Sequence, residues 1–132
     1  MPASEPTIVA TSMGFSRRGR GPWDADVGPV FELAAELAQA GDAPRICYLN
    51  QAVGDQPTSF TVFYGAFAGT RFRPSHLTLF PMPNVEDVRA HLLAQDIIWV
   101  GGGSVANLCA VWRVHGLPEI LRELLAAAGS EP

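Results

Sequence analysis

A chain of 132 residues fits one domain, residues 1–132, and a domain of this size buries roughly two-thirds of its unfolded surface. A hydrophobic fraction of 48% against 17% charged residues excludes a disordered segment, and a net charge of −4 speaks against nucleic acid, which needs a basic face. No run approaches the ~18–20 consecutive apolar residues of a membrane helix, and Glu5 sits where a signal peptide carries positive charge, so a cytoplasmic protein with no membrane association is expected. Cys47 and Cys109 are then reduced thiols, and with no CxxC pair and no Cys/His cluster neither a metal nor another cofactor is expected.

In chain order, residues 7–12 (TIVATS) are short, apolar and β-branched, and predict a buried first strand. The stretch SRRGRGPWDADVGP is a loop by its Gly, Pro and charge. Residues 30–40 repeat apolar side chains at helical spacing and stop at Gly41. Residues 45–50 (RICYLN) predict a second buried strand, and residues 60–68 a short helix capped by Thr58 or Ser59. Residues 76–80 (HLTLF) predict a third strand, followed by the turn PMPN. Asn84 caps a helix over 85–95, with Glu86 and Asp87 in the first turn, where the helix dipole favours acids. Residues 97–100 (IIWV) are the fourth strand, Ser104 caps a helix that Gly116 ends, and EILRELLAAA forms a last one.

Continuous apolar strands alternating with amphipathic helices predict an α/β fold. Its sheet is open, mainly parallel and four-stranded, with helices on both faces, flavodoxin-like or Rossmann-like. Ligands of such sheets sit outside the carboxyl ends of the strands. Two features lie there: the glycine turn in WVGGGSVANL, residues 99–108, and the loop carrying Arg17, Arg18 and Arg20.

Three readings of the glycine turn compete. Exposed glycine amides beside a helix N-terminus suit a phosphate, but Ala106 breaks G-x-G-x-x-G and the chain has no lysine for a Walker motif. Gly102 to Ala106 also nearly fits the nucleophile elbow G-x-S-x-G, with Ser104 attacking. That serine would need a histidine base; His115 is roughly 16 Å along the same helix, and His91 and His76 lie before the fourth strand. The plain alternative is that Ser104 is only an N-cap.

The third reading is a resemblance. IVATSMGF, RICYLN and the run SHLTLFPMPNVEDVRAHLLAQDIIWVGGGSVANLCAVWRVHGLPEILREL together resemble the dipeptidase E family of serine peptidases, which includes aspartyl dipeptidases and cyanophycin-degrading enzymes. The resemblance covers residues 8 to about 125 and implies a fold related to class I glutamine amidotransferases. It also implies that the glycine turn carries no nucleophile: the amides of Gly102, Gly103 and Ser104 serve the oxyanion and substrate pocket, a role that needs fixed backbone donors. Arg17, Arg18 and Arg20 are candidates to meet a substrate carboxylate, whose geometry the guanidinium fork matches.

In that family the helix corresponding to EILREL leads to a further strand and a G-x-S-A-G elbow, with the histidine and acid later still. No G-x-S-x-G occurs in these 132 residues. The resemblance therefore implies a C-terminally incomplete domain, a pocket half without the nucleophile, inactive alone. Its small peptide substrate would belong to the complete enzyme. Without the further strand, residues 97–100 would form a bare sheet edge, so a homodimer or a hetero-association through that edge is expected.

Overall fold

The computed structural model describes residues 5–12, 14–17 and 25–128. Its centre is a three-stranded parallel sheet of β3 (Arg45–Leu49), β4 (Arg73–Leu77) and β5 (Ile97–Val100), in the order β4-β3-β5. Before it, β1 (Phe15–Arg17) and β2 (Ala25–Val27) pair antiparallel as a separate two-stranded ribbon. The helices are α1 (Pro29–Leu37), α2 (Pro57–Phe67), α3 (Val88–Leu93), α4 (Val105–Val114) and α5 (Leu117–Ala128), with a 3-10 turn at Gln51–Val53. Among the described residues, no helix is long and apolar enough to cross a membrane.

The central strand decides where the two cores lie. Successive side chains of a strand point to opposite faces, so Ile46 and Tyr48 enter one layer while Cys47 and Leu49 enter the other. The first layer contains Phe31 and Ala35 of α1 and Phe60, Phe63 and Phe67 of α2. The second contains Leu77, Leu79, Leu92 of α3 and Leu117 of α5. Phe31, Phe63 and Phe67 are almost fully buried, and each contributes about 1.5–3 kcal/mol by leaving water. Phe15 of the ribbon closes the first layer, its ring 5.0 Å from Phe31 and 6.1 Å from Trp99. Helices thus cover both faces of a parallel sheet, as expected of an α/β fold.

The strand count differs. Residues 7–12 form no strand; they are irregular and exposed, with Ile8 at 81% exposure. A β-branched run has the propensity for a strand but becomes one only when a neighbour accepts its backbone bonds. The strands preceding α1 are instead β1 and β2, outside the parallel sheet, which among the described residues therefore has three strands rather than four.

The third strand starts earlier than the apolar run, because register and not hydropathy sets it. Arg45↔Arg73 through Leu49↔Leu77 pair in parallel, and Pro74 is tolerated because β4 is an edge. The amides of Leu79 and Phe80 leave the ladder and donate to Asp55 Oδ2 at 2.7 and 3.1 Å. Two caps also move. Asn84 caps no helix: its Oδ1 accepts the Thr78 N–H at 2.8 Å and its Nδ2 donates to His76 O, while Asp87 Oδ1 caps α3 through the Ala90 N–H. At α2, Pro57 starts the helix, and neither Thr58 nor Ser59 caps it; proline suits the first position because its fixed φ is helical and its missing N–H would have no intrahelical partner there.

Ser104 caps α4 as expected, its Oγ accepting the Asn107 N–H at 3.2 Å. Gly116, at φ +71, ends the chain's run through α4 in the left-handed conformation that glycine adopts without strain. Among the described residues β5 pairs only with β3, so its other edge has unpaired backbone groups, with Val100 41% exposed beside it.

Candidate functional site

The carboxyl ends of β3 and β5 bring residues 49–56 against residues 100–104. Gly101 continues the ladder, donating to Leu49 O at 3.0 Å. It must be glycine for lack of space: a Cβ there would lie 2.8 Å from Tyr48 Oη and 3.2 Å from Asn50 Oδ1. Gly103 is held harder still. It sits at φ +142, and a Cβ would meet Ala52 O at 2.5 Å. The close approach is fixed by the next residue, since the Ser104 N–H donates to Ala52 O at 2.8 Å.

Three adjacent amides therefore have different fates. Ser104, a third donor by resemblance, has its N–H committed to Ala52 and its hydroxyl committed to the helix cap. The Gly102 and Gly103 N–H groups have no protein acceptor among the described residues, and both glycines are exposed. Among the described residues nothing lies within 4 Å of where a Gly102 Cβ would be. The turn presents two backbone donors to open space from a backbone pinned on one side.

What pins it is a buried polar cluster that the sequence reading did not single out. Gln51, fully buried, donates through Nε2 to Leu77 O at 2.7 Å and to Asp55 Oδ1 at 3.0 Å. Its Oε1 accepts the Trp112 Nε1–H at 2.9 Å. One amide side chain thus ties the turn after β3 to the end of β4 and to α4. The available signal was a polar pair, Asn50-Gln51, at the end of an apolar strand, where buried polar groups must find partners.

Beside Gly101, Tyr48 and Phe63 line an open cleft of about 370 Å³ with Phe15, Gln56, Thr58, Ser59 and Val62. Tyr48 Oη donates to Asn50 Oδ1 at 2.9 Å, so one hydroxyl touches both the cleft and the glycine turn. Burial pushes the Tyr48 phenol above its usual value, partly offset by Ser59; it stays a neutral donor.

The histidines are placed apart from Ser104, and among the described residues none hydrogen-bonds it. His76 Nδ1 bonds the Tyr64 hydroxyl at 2.6 Å, His91 Nε2 lies 3.3 Å from Ser75 Oγ, and His115 follows α4 as its C-cap. Cys47 is core, and burial pushes its thiol up to about 12. Arg18, Arg20 and Trp23 lie outside the described residues. Arg17 ends β1, two residues beyond the cleft-lining Phe15.

Residues 22–130 match the model of Peptidase family S51. Over 82 residues the chain is 43% identical to the uncharacterized peptidase YgaJ of Bacillus subtilis (strain 168), an alignment covering 62% of this chain and 35% of that protein. The chain therefore spans about a third of the length of the curated relative it matches, at 35%. No solved structure matches it. A family match over most of the chain, on a parallel α/β sheet with the glycine turn at its carboxyl end, places the chain in Peptidase family S51, the dipeptidase E family of serine peptidases.

Proposed function

We propose that this chain is the oxyanion and pocket half of a serine peptidase acting on small peptides, aspartyl peptides among them. The observation that carries this reading is the pair of amides at Gly102 and Gly103, unpartnered among the described residues and held in place by the Ser104–Ala52 bond. Such donors act where charge develops, and removing one costs about 10²–10³ in kcat.

No G-x-S-x-G occurs in these 132 residues, and the hydroxyl of Ser104 caps a helix with no histidine bonded to it. The attacking serine is therefore assigned to residues outside this segment. Its oxygen adds to the scissile carbonyl carbon while its proton passes to a histidine base. The carbonyl π pair moves to oxygen, and the oxyanion meets the two glycine amides. Collapse expels the amine, which takes the proton, and water then releases the acyl group. The Tyr48-lined cleft receives the side chain before the cut. Arg17, Arg18 and Arg20 supply guanidinium groups for a substrate carboxylate.

On this reading the chain is inactive alone, works in the cytoplasm, and needs no cofactor. Its partner pairs along the free edge of β5, whether the remainder of a catalytic domain or a second copy. A second reading rests on that same edge: a non-enzymatic module that binds a relative of its own family.

Hydrolysis of an aspartyl dipeptide by the purified chain tests the first reading. No turnover is expected alone, and turnover is expected when a fragment carrying a family elbow strand is added. A fluorophosphonate adduct on Ser104 would sink both readings. A stable monomer on size-exclusion chromatography, indifferent to that fragment, would sink the pairing.

A further inference from the structure

At the opposite end of the sheet, away from the glycine turn, lies a second cleft of about 280 Å³ lined by Arg45, Arg73, Pro74, Ser75, His91, Ala94 and Gln95. Arg45 opens β3 and Arg73 opens β4, and the two are register partners. Register partners on adjacent strands share a face and stand about 5 Å apart. Alternation puts Arg45 on the face of Cys47, and Arg73 on the face of Ser75, which is the face that α3 covers. Both guanidinium groups therefore rise beside His91 and Gln95 of the α3 end.

Neither arginine side chain has an acidic partner among the described residues. Three other described arginines do pair, Arg71 with Glu32 at 2.5 Å, Arg89 with Glu123, and Arg122 with Glu119 at 3.9 Å, while Arg113 stands singly on α4 and lines no cleft with a second arginine. Asp96, at the same rim, spends its Oδ2 on the Arg45 backbone N–H at 2.8 Å. Two like charges are left side by side at the mouth of a cleft, on a protein whose net charge is −4. That arrangement repels itself until an anion bridges it.

The floor supplies further polar groups. Ser75 Oγ lies 3.2 Å from Ile46 O, 3.3 Å from His91 Nε2 and 3.4 Å from Gln95 Oε1. A hydroxyl has one proton, so at most one of these three can be its acceptor, and the bonds are long enough to reorganise. Burial, and after it the charge of Arg45, hold the His91 imidazole below its usual pKa.

We propose that this cleft binds a tetrahedral phosphate-type oxyanion, as free phosphate or a small phosphate monoester, between the Arg45 and Arg73 guanidinium groups, with Ser75 and His91 beneath. Two guanidinium forks and a hydroxyl offer more donors than a planar carboxylate can accept in one place, whereas a dianionic tetrahedron uses them all. The site is independent of the peptidase reading, since it uses none of the glycine turn or the Tyr48 cleft.

The test is a titration of the purified chain with inorganic phosphate, followed by NMR of the histidine ring signals at fixed neutral pH and fixed ionic strength. A saturable shift confined to His91, with His76 and His115 as internal controls, is expected at a dissociation constant on the order of 1 mM. R45Q and R73Q, at exposed positions, should each weaken it about tenfold. Phenyl phosphate binding tighter than phosphate identifies esters as the source, and the reverse identifies the free ion. Equal shifts in chloride, equal binding of acetate, parallel movement of all three histidines, or unchanged binding by the R45Q/R73Q double variant would each overturn the assignment.

Discussion

Replacing Gly103 by alanine tests whether the glycine turn is a pinned donor or a loose loop. The added Cβ would lie 2.5 Å from Ala52 O and 2.8 Å from both Ala52 C and Val53 Cγ1. Two of those three atoms are backbone, so no rotamer change relieves the clash. The position is also at φ +142, where an L side chain is strained by about 1–3 kcal/mol. Relief requires the turn to lift off Ala52, which gives up the Ser104 N–H bond, worth about 1 kcal/mol. The expected loss is about 2–4 kcal/mol. At roughly 4 °C per kcal/mol for a domain of this size, the Tm should fall by about 8–16 °C. Gly102→Ala is the control, because nothing stands within 4 Å of its added Cβ; its change should stay within about 0.5 kcal/mol. Thermal and urea unfolding followed by circular dichroism measure both. Equal stabilities of the two variants would refute the claim that Ala52 holds the turn.

Gln51→Leu removes three hydrogen bonds at once and leaves Leu77 O, the Trp112 Nε1–H and one Asp55 oxygen without that partner. It should cost about 2–4 kcal/mol by urea unfolding, and a neutral result would show that water replaces the amide easily. Burial holds His76 below its ordinary 6.5, more than the nearby Asp55 raises it. The unfolded chain therefore binds the proton more readily, and stability, fully present above the unfolded value, should decline as pH falls through 6.5 toward the lower folded value. The urea midpoint between pH 8 and pH 5 should show this, and H76Q should flatten the slope; an unchanged slope in H76Q removes His76 as its source. Under native conditions a maleimide should modify Cys109, which is half-buried, and spare Cys47, which is fully buried with its thiol pushed up to about 12. Equal rates at the two thiols would contradict the packing of β3.

Much of the molecule follows from local chemistry. The apolar run RICYL needs cover on both faces and becomes the central strand. Ser104 caps α4, and Gly116 ends the helix. These features depend on bonds between residues close in sequence, or on burial that a pattern reveals, so a string of residues carries them. The family resemblance is likewise carried by runs of adjacent residues, IVATSMGF, RICYLN and the long stretch that holds the glycine turn.

What only the tertiary structure decided is everything set by a distant partner. The β4 boundary comes from its register on β3, so Arg73 and Pro74 join the strand while Leu79 and Phe80 give their amides to Asp55. Residues 7–12 have strand chemistry and no strand, because propensity supplies no neighbour. Gln51 shows in the sequence only as half of a polar pair after an apolar strand, with nothing to name its partners, yet it reaches Leu77, 26 positions away, and Trp112, 61 positions away. Sequence alone marked the glycine turn as a candidate site; only folding showed that the Ser104 amide is taken by Ala52 while its two neighbours find no acceptor among the described residues. A backbone donor has no residue letter of its own, and whether it is free depends on what the rest of the chain places against it.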